Sequence, residues 1–176
     1  RIIRIPMIAG GNVKRQEDVK KILYAGAKRA ILNFSKQDSP KLMEDAAKRF
    51  GKEKIAVSLH DFDALFKHQH KIEECCGEIV FMHRLDLDSV MNVTDIPCVI
   101  LTDTMDEREL FKILKCPGVK GLSGQYVSRT DMDLSTFKEK CTAQDIKMTS
   151  FESIMEFSQF KTNEQGLIPV VVQHFK

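Results

Sequence analysis

The sequence predicts an α/β fold of the (β/α)8 TIM-barrel type, incomplete in this chain at six strands. Three observations predict it. Short apolar runs rich in β-branched residues alternate with amphipathic stretches, which is the pattern of a parallel sheet with helical crossovers. The segments between them are short, and a strand–helix–strand pattern recurs about 90 residues further on.

The predicted strands are Ile5–Ala9, Arg29–Asn33, Ile55–Leu59, Glu78–Met82, Cys98–Thr102 and Gly121–Tyr126. Between them, apolar residues recur at helical spacing: Val19, Ile22 and Leu23; then Leu42, Met43, Ala46 and Ala47; then Leu65, Phe66 and Ile72; then Leu110, Ile113 and Leu114. Leu134, Phe137 and Cys141 supply one more such face after the last strand. Boundary chemistry agrees. Ser39 before Pro40 reads as an N-cap with a first-turn proline, Gly51 as a helix stop, and Asp106 with Glu109 as a capping box.

Periodicity alone leaves a barrel and an open doubly wound sheet equally open. The repeat favours the barrel. Ile5-Pro6, Asp18-Val19, Ile22-Leu23, Gly26 and Lys28 match Ile96-Pro97, Glu109-Leu110, Ile113-Leu114, Gly118 and Lys120, with one residue inserted late in the second copy. Four βα units separate the copies, as in a barrel made of two similar halves.

Composition excludes several function classes. With 27 Lys and Arg against 25 Asp and Glu, the net charge is +2, and the basic residues are interspersed with acidic ones, so there is no nucleic-acid or membrane footprint. No apolar run approaches the roughly 18 residues of a membrane span. The five cysteines, Cys75, Cys76, Cys98, Cys116 and Cys141, are an odd number without metal-ligand spacing, which suits a reducing, cytoplasmic setting. The 43% apolar content can fill one core. The opening Arg1-Ile2-Ile3-Arg4 has neither a signal-peptide layout nor an initiator Met, which suggests a fragment.

Two loops carry candidate phosphate chemistry. Gly10-Gly11-Asn12 follows the first strand and precedes a helix opening near Gln16, so backbone N–H groups could approach a phosphate without Cβ obstruction; a tight turn would use the same glycines. The second strand ends in Asn33-Phe34-Ser35, where Asn33 and Ser35 could add side-chain donors on the same rim. In the second half the equivalent loop is Leu101-Thr102-Asp103-Thr104, without glycine and with a carboxylate that opposes a phosphate. Ser123-Gly124 offers a weakened anion site there, the alternative being a loop kept only for capping and solubility.

These residues carry a resemblance. The text IP…AGGNVKRQEDVKKILYAGAKRAILN, then SPKLMEDAAKRFG, resembles the cyclase subunit of imidazole glycerol phosphate synthase and its relative, the phosphoribosylformimino isomerase. The likeness weakens through residues 54–61 and returns over 96–147. It implies that the chain starts at the third barrel strand, that residues 1–149 are the later part of a phosphate-binding histidine-biosynthesis barrel, and that Gly10, Gly11, Asn33 and Ser35 match the family's first phosphate site. It also implies an acid/base carboxylate at the end of the fifth barrel strand, a position that falls here on His60, with Asp61 one residue away. Either could move a proton near neutral pH or below, or His60 is simply a solvated rim residue. His68 and His70 are two apart and cannot share a helix face, so no metal is expected of them.

A second resemblance lies in the tail. Phe160-Lys161-Thr162-Asn163-Glu164-Gln165-Gly166-Leu167-Ile168-Pro169-Val170-Val171-Val172-Gln173 is similar to the opening of phosphoribosyl-AMP cyclohydrolase, a zinc-dependent hydrolase of the same pathway. This implies that residues 150–176 are a connecting helix and a first strand of that domain, that the parent polypeptide is multifunctional, and that zinc belongs to a downstream domain, with no cofactor in this chain. The expected ligand is a phosphoribosyl-nucleotide small molecule. The barrel, with Asp103 and His60 at functional positions, is expected to be degenerate, the alternative being a working lyase or isomerase that uses His60 or Asp61. Exposed sheet edges would favour a homo-oligomer, and a glutaminase partner is a possibility without support in the residues.

Overall fold

A computed structural model describes residues 6–34, 39–82, 92–128 and 133–148. Six parallel strands form one sheet: β1 (Ile8–Gly10), β2 (Arg29–Asn33), β3 (Ile55–Leu59), β4 (Glu78–Met82), β5 (Cys98–Thr102) and β6 (Val119–Gly124). Their spatial order is their chain order, β1 through β6, without reversal. That order separates the two candidate architectures. A doubly wound sheet reverses at a switch point and covers both faces, whereas a steadily advancing, right-handed winding puts every crossover helix on one side and curls the sheet into barrel geometry. The fold is an incomplete (β/α)8 barrel.

The helices are α1 (Gln16–Ala25), α2 (Ser39–Phe50), α3 (Phe62–Cys75), α4 (Glu107–Lys115) and α5 (Leu134–Thr142). Their buried apolar residues are those the periodicity selects. Val19 of α1, Met43 and Ala46 of α2, Leu65 and Ile72 of α3, Leu110 and Ile113 of α4, and Phe137 and Cys141 of α5 all join one core. Alternate strand residues meet them there: Ala30 and Leu32, Ile55, Val57 and Leu59, Ile79 and Phe81, Cys98 and Ile100, and Leu122. Because strand side chains alternate, the remaining set faces the concave side: Arg29, Ile31 and Asn33, Ala56 and Ser58, Glu78 and Val80, Val99 and Leu101. Phe66 departs from the predicted face. It is 68% exposed and stacked on Phe62, while Leu65 and Ile72 are the fully buried residues of α3.

Strands β2 to β5 have the predicted bounds, and the two outer strands do not. β1 starts at Ile8 rather than Ile5, since Pro6 has no N–H to give a ladder; one further bond, Lys28 N–H to Met7 O at 2.6 Å, extends the pairing below it. β6 runs from Val119 to Gly124 rather than from Gly121 to Tyr126. It begins early because Cys98 already pairs with Val119, with a register shift before Val99 meets Gly121. It ends at Gly124 because that residue has φ +136° and its carbonyl accepts Ser128 N–H at 3.2 Å, turning the chain. Tyr126 then packs on Phe137 instead of extending the strand. The connecting helix and strand expected in 150–176 lie outside the described residues, as does Ser35.

The repeat has a structural counterpart. Val19 and Leu110 are equivalent buried anchors of α1 and α4, and Gly26 and Gly118 both adopt positive φ, 110° and 81°, as the chain turns from helix to strand.

Candidate functional site

Parallel strands end on one side, so the carboxyl ends of all six make a single rim. At β1 the two glycines have different physical reasons. A Cβ on Gly10 would lie 2.7 Å from Ile31 Cβ, so glycine there lets β1 approach β2. Gly11 has φ +130° with nothing within 4 Å of where its Cβ would stand, and Asn12 follows at φ +50°. The loop therefore turns through left-handed backbone beside open space. Beyond Val13 the N–H groups are committed: Lys14 and Arg15 each donate to Asp18 Oδ2 at 3.1 Å. The Lys14 N–H, chiefly, holds the Asp18 carboxyl below the usual carboxylate range.

Asn33 ends β2 beside this loop, two residues beyond Ile31, which is paired with Gly10. Its side chain is exposed, and its carbonyl accepts the Ser39 hydroxyl at 2.5 Å. Ser39 thus pins the start of α2 to the strand end, where the sequence predicts a hydroxyl accepting from the helix. Phe34 N–H donates to Ser58 O at 3.1 Å, and the Phe34 ring meets His68 edge-on at 5.2 Å. Gly10, Gly11 and Asn33 are thereby brought to one corner of the rim, on neighbouring strands.

His60 and Asp61 follow β3, the next strand. His60 is exposed. Asp61 is the N-cap of α3, its Oδ1 accepting Ala64 N–H at 2.7 Å. That bond commits one carboxylate oxygen to the helix.

Ser123 and Gly124 lie at the other end of the strand order, on β6, and are not brought together with the Gly10–Asn33 corner. Leu101 is opposite Ser123, and Thr102 is opposite Gly124. A Cβ on Gly124 would stand 1.7 Å from Thr102 O, so close approach of two strands accounts for this glycine. After Thr102 the loop bonds to itself. Thr104 N–H donates to Thr102 Oγ1 at 3.2 Å, Asp106 N–H to Thr104 Oγ1 at 3.3 Å, and the Thr104 hydroxyl to Glu109. Asp106 caps α4 through Arg108 N–H at 2.9 Å, so Thr104 is interposed in the capping box predicted for Asp106 and Glu109.

Sequence reasoning missed a charged pair inside the curl. Arg29 and Glu78 start β2 and β4 and meet across β3 at 2.9 Å, with side chains 14% and 3% exposed. Ala56, paired with both Ile31 and Glu78, is the small residue between them. Burial raises the Glu78 pKa above the ordinary glutamate range, and the Arg29 charge opposes that. The only signal was two charges opening otherwise apolar strands. Among the described residues, no three His, Cys, Asp or Glu side chains form a group that could hold a metal ion, and no helix is long and apolar enough to cross a membrane.

Known proteins match this geometry. One solved structure, a variant of the citrate synthase SbnG, superposes with a TM-score of 0.56 over 88% of this chain and 81% of its own, at 10% identity, which is a likeness of fold alone. The imidazole glycerol phosphate synthase subunit HisF of an Exiguobacterium species is 39% identical over 67 residues, 38% of this chain and 25% of that protein. The subunit of the same name from Buchnera aphidicola is 28% identical over 79 residues, 45% of this chain and 31% of its own length. The matches thus span a quarter to a third of those relatives. A family model described as histidine biosynthesis protein matches residues 1–101, more than half of the sequence, and the chain belongs to that family.

Proposed function

We propose that this chain is the phosphate-binding part of a cyclase-subunit-like barrel that has lost its own turnover, in a histidine-biosynthesis polypeptide that also carries phosphoribosyl-AMP cyclohydrolase. The ligand is a phosphoribosyl-nucleotide. The observation that carries the reading is the corner where Gly11, in left-handed backbone beside open space, lies next to Asn33. Anions favour such backbone, because its N–H groups point outward and no Cβ obstructs them. Gly10 serves by letting β1 close on β2, and Ser123 and Gly124 are the remnant of a second site.

Loss of turnover is favoured by the acid/base position. The residue there is His60, and the neighbouring Asp61 holds the first turn of α3. The competing reading, a lyase or isomerase with His60 or Asp61 moving the proton, is favoured by the exposure of His60 on the rim. Assaying the full-length protein for cyclase and isomerase turnover separates the two. Turnover that falls by orders of magnitude in His60→Ala would overturn the degenerate reading. No turnover, with retained binding of a phosphorylated ribonucleotide, supports it.

The cyclohydrolase assignment rests on residues 160–173, whose similarity is to that enzyme's first strand. Its zinc would be held by a downstream domain, and no residue of this chain is assigned to it. Hydrolysis of phosphoribosyl-AMP by the full-length protein, lost on chelation, is the test. The cytoplasm is the proposed compartment. Pairing between copies through the β1 and β6 edges is the proposed assembly, and a monomer by sedimentation would exclude it. A glutaminase partner has no observation in its favour.

A further inference from the structure

The two halves of the repeat present opposite chemistry on the rim. In the first, the loop after β1 is exposed at Gly11 and Asn12, and among the described residues the N–H groups of Asn12 and Val13 take no hydrogen bond. In the second, three backbone donors at the loop after β5 and the start of α4 are committed. Thr104 N–H and Asp106 N–H are held by the hydroxyls of Thr102 and Thr104, and Arg108 N–H by Asp106. What this loop shows outward is the exposed Asp103 carboxylate, with the apolar side chains of Leu101, 36% exposed, and Met105, 45% exposed. On the neighbouring β6, Gly124 sits close against Thr102 O.

A second phosphate placed here would meet a carboxylate and two apolar groups, beside backbone donors of which those of Thr104, Asp106 and Arg108 are already committed. An uncharged or cationic group would escape the repulsion from the carboxylate. We infer that the rim takes a ligand bearing a single phosphate, held at the Gly11–Val13 loop, and a non-anionic group at the far end, with Asp103 as the specificity-determining residue that excludes a second phosphate. This rests on the phosphate-binding reading of the first loop.

Isothermal titration of the full-length protein at fixed ionic strength, with inorganic phosphate, ribose 5-phosphate and fructose 1,6-bisphosphate as probes, tests it. The two sugar phosphates are expected to bind within about threefold of each other, because exposed charge interactions are worth only about two- to fivefold. Asp103→Asn should strengthen the bisphosphate alone, by about two- to fivefold, and Asp103→Ser should do the same. A wild-type preference for the bisphosphate of about tenfold or more, some 1.4 kcal/mol, would overturn the inference while leaving the first phosphate site standing. So would an equal gain for both sugars in Asp103→Asn. Binding of none of the three probes would refute the phosphate-binding reading itself, and this inference with it.

Discussion

Gly124 and Gly11 both occupy left-handed backbone, at φ +136° and +130°, yet their surroundings differ completely. Replacing each by alanine separates torsional strain from steric exclusion. For Gly11→Ala the Cβ enters open space, so the cost is the torsional one alone, about 1–2 kcal/mol. For Gly124→Ala the same torsion applies, and the Cβ arrives 1.7 Å from Thr102 O. Ordinary contact needs about 3.4 Å or more, so β6 must move away from β5 at the Thr102–Gly124 pair. Losing one or two ladder bonds there adds about 1–3 kcal/mol. The expected total is about 2–5 kcal/mol, roughly 2 kcal/mol beyond Gly11→Ala. With a urea dependence near 2 kcal/mol per molar, Gly124→Ala should lower the urea midpoint by about 1–2.5 M and Gly11→Ala by about 0.5–1 M. Urea titration followed by circular dichroism reads both shifts. Equal shifts for the two variants would refute the claim that the nearness of Thr102 fixes glycine at position 124.

Further outcomes follow from the charged and thiol groups. Because burial raises the folded-state pKa of Glu78, folding takes up a proton, so its contribution to stability is fully present below the ordinary glutamate pKa and falls as pH rises through the raised value; Glu78→Gln should flatten that part of the stability–pH curve, measured by urea titration between about pH 4 and 8. Glu107 runs the other way: Lys140, 2.8 Å away, and then the Tyr126 hydroxyl lower its pKa, so its contribution is present above the ordinary value and lost as pH falls through the lowered one. The pair is substantially exposed, and Lys140→Ala should cost at most about 1 kcal/mol by the same titration. Burial pushes the Cys76 and Cys98 thiols up to about 12 and Cys141 to about 11, so all three should resist iodoacetamide at pH 8 until the chain is unfolded, as peptide mapping by mass spectrometry would read. Met43→Ala, at a fully buried position, should cost about 2–5 kcal/mol.

The legible parts of this fold are those where a residue's own chemistry sufficed. Strands β2 to β5 stand out because short runs dominated by apolar residues alternate with amphipathic stretches. Val19, Met43, Leu65 and Leu110 stand out because a helix docked on one side repeats every three to four residues. The ends of β1 and β6 were set by Pro6 and by the turn at Gly124, which depend on where the neighbouring strand runs. Phe66 belongs to the predicted apolar stripe and is nonetheless exposed, because it lies about 100° round the helix from its neighbour Leu65, which is fully buried.

The candidate site divides in the same way. Gly10-Gly11 and Asn33 were conspicuous as residue types, but two glycines in a row read identically whether they permit close packing or leave a cradle. Only the neighbouring strand distinguishes them: Ile31 stands against Gly10, and nothing stands against Gly11. Sequence by itself determined the alternation of strands and helices, the repeat and the family, since those depend on local pattern and on residue identity. Tertiary structure alone decided that the strands advance without reversal, that Arg29 meets Glu78 across Ala56, and that the loop after β5 spends its donors on its own threonines. Each of these is a contact between segments far apart in the chain or a hydrogen-bond choice among equals, and no single residue's preference encodes either.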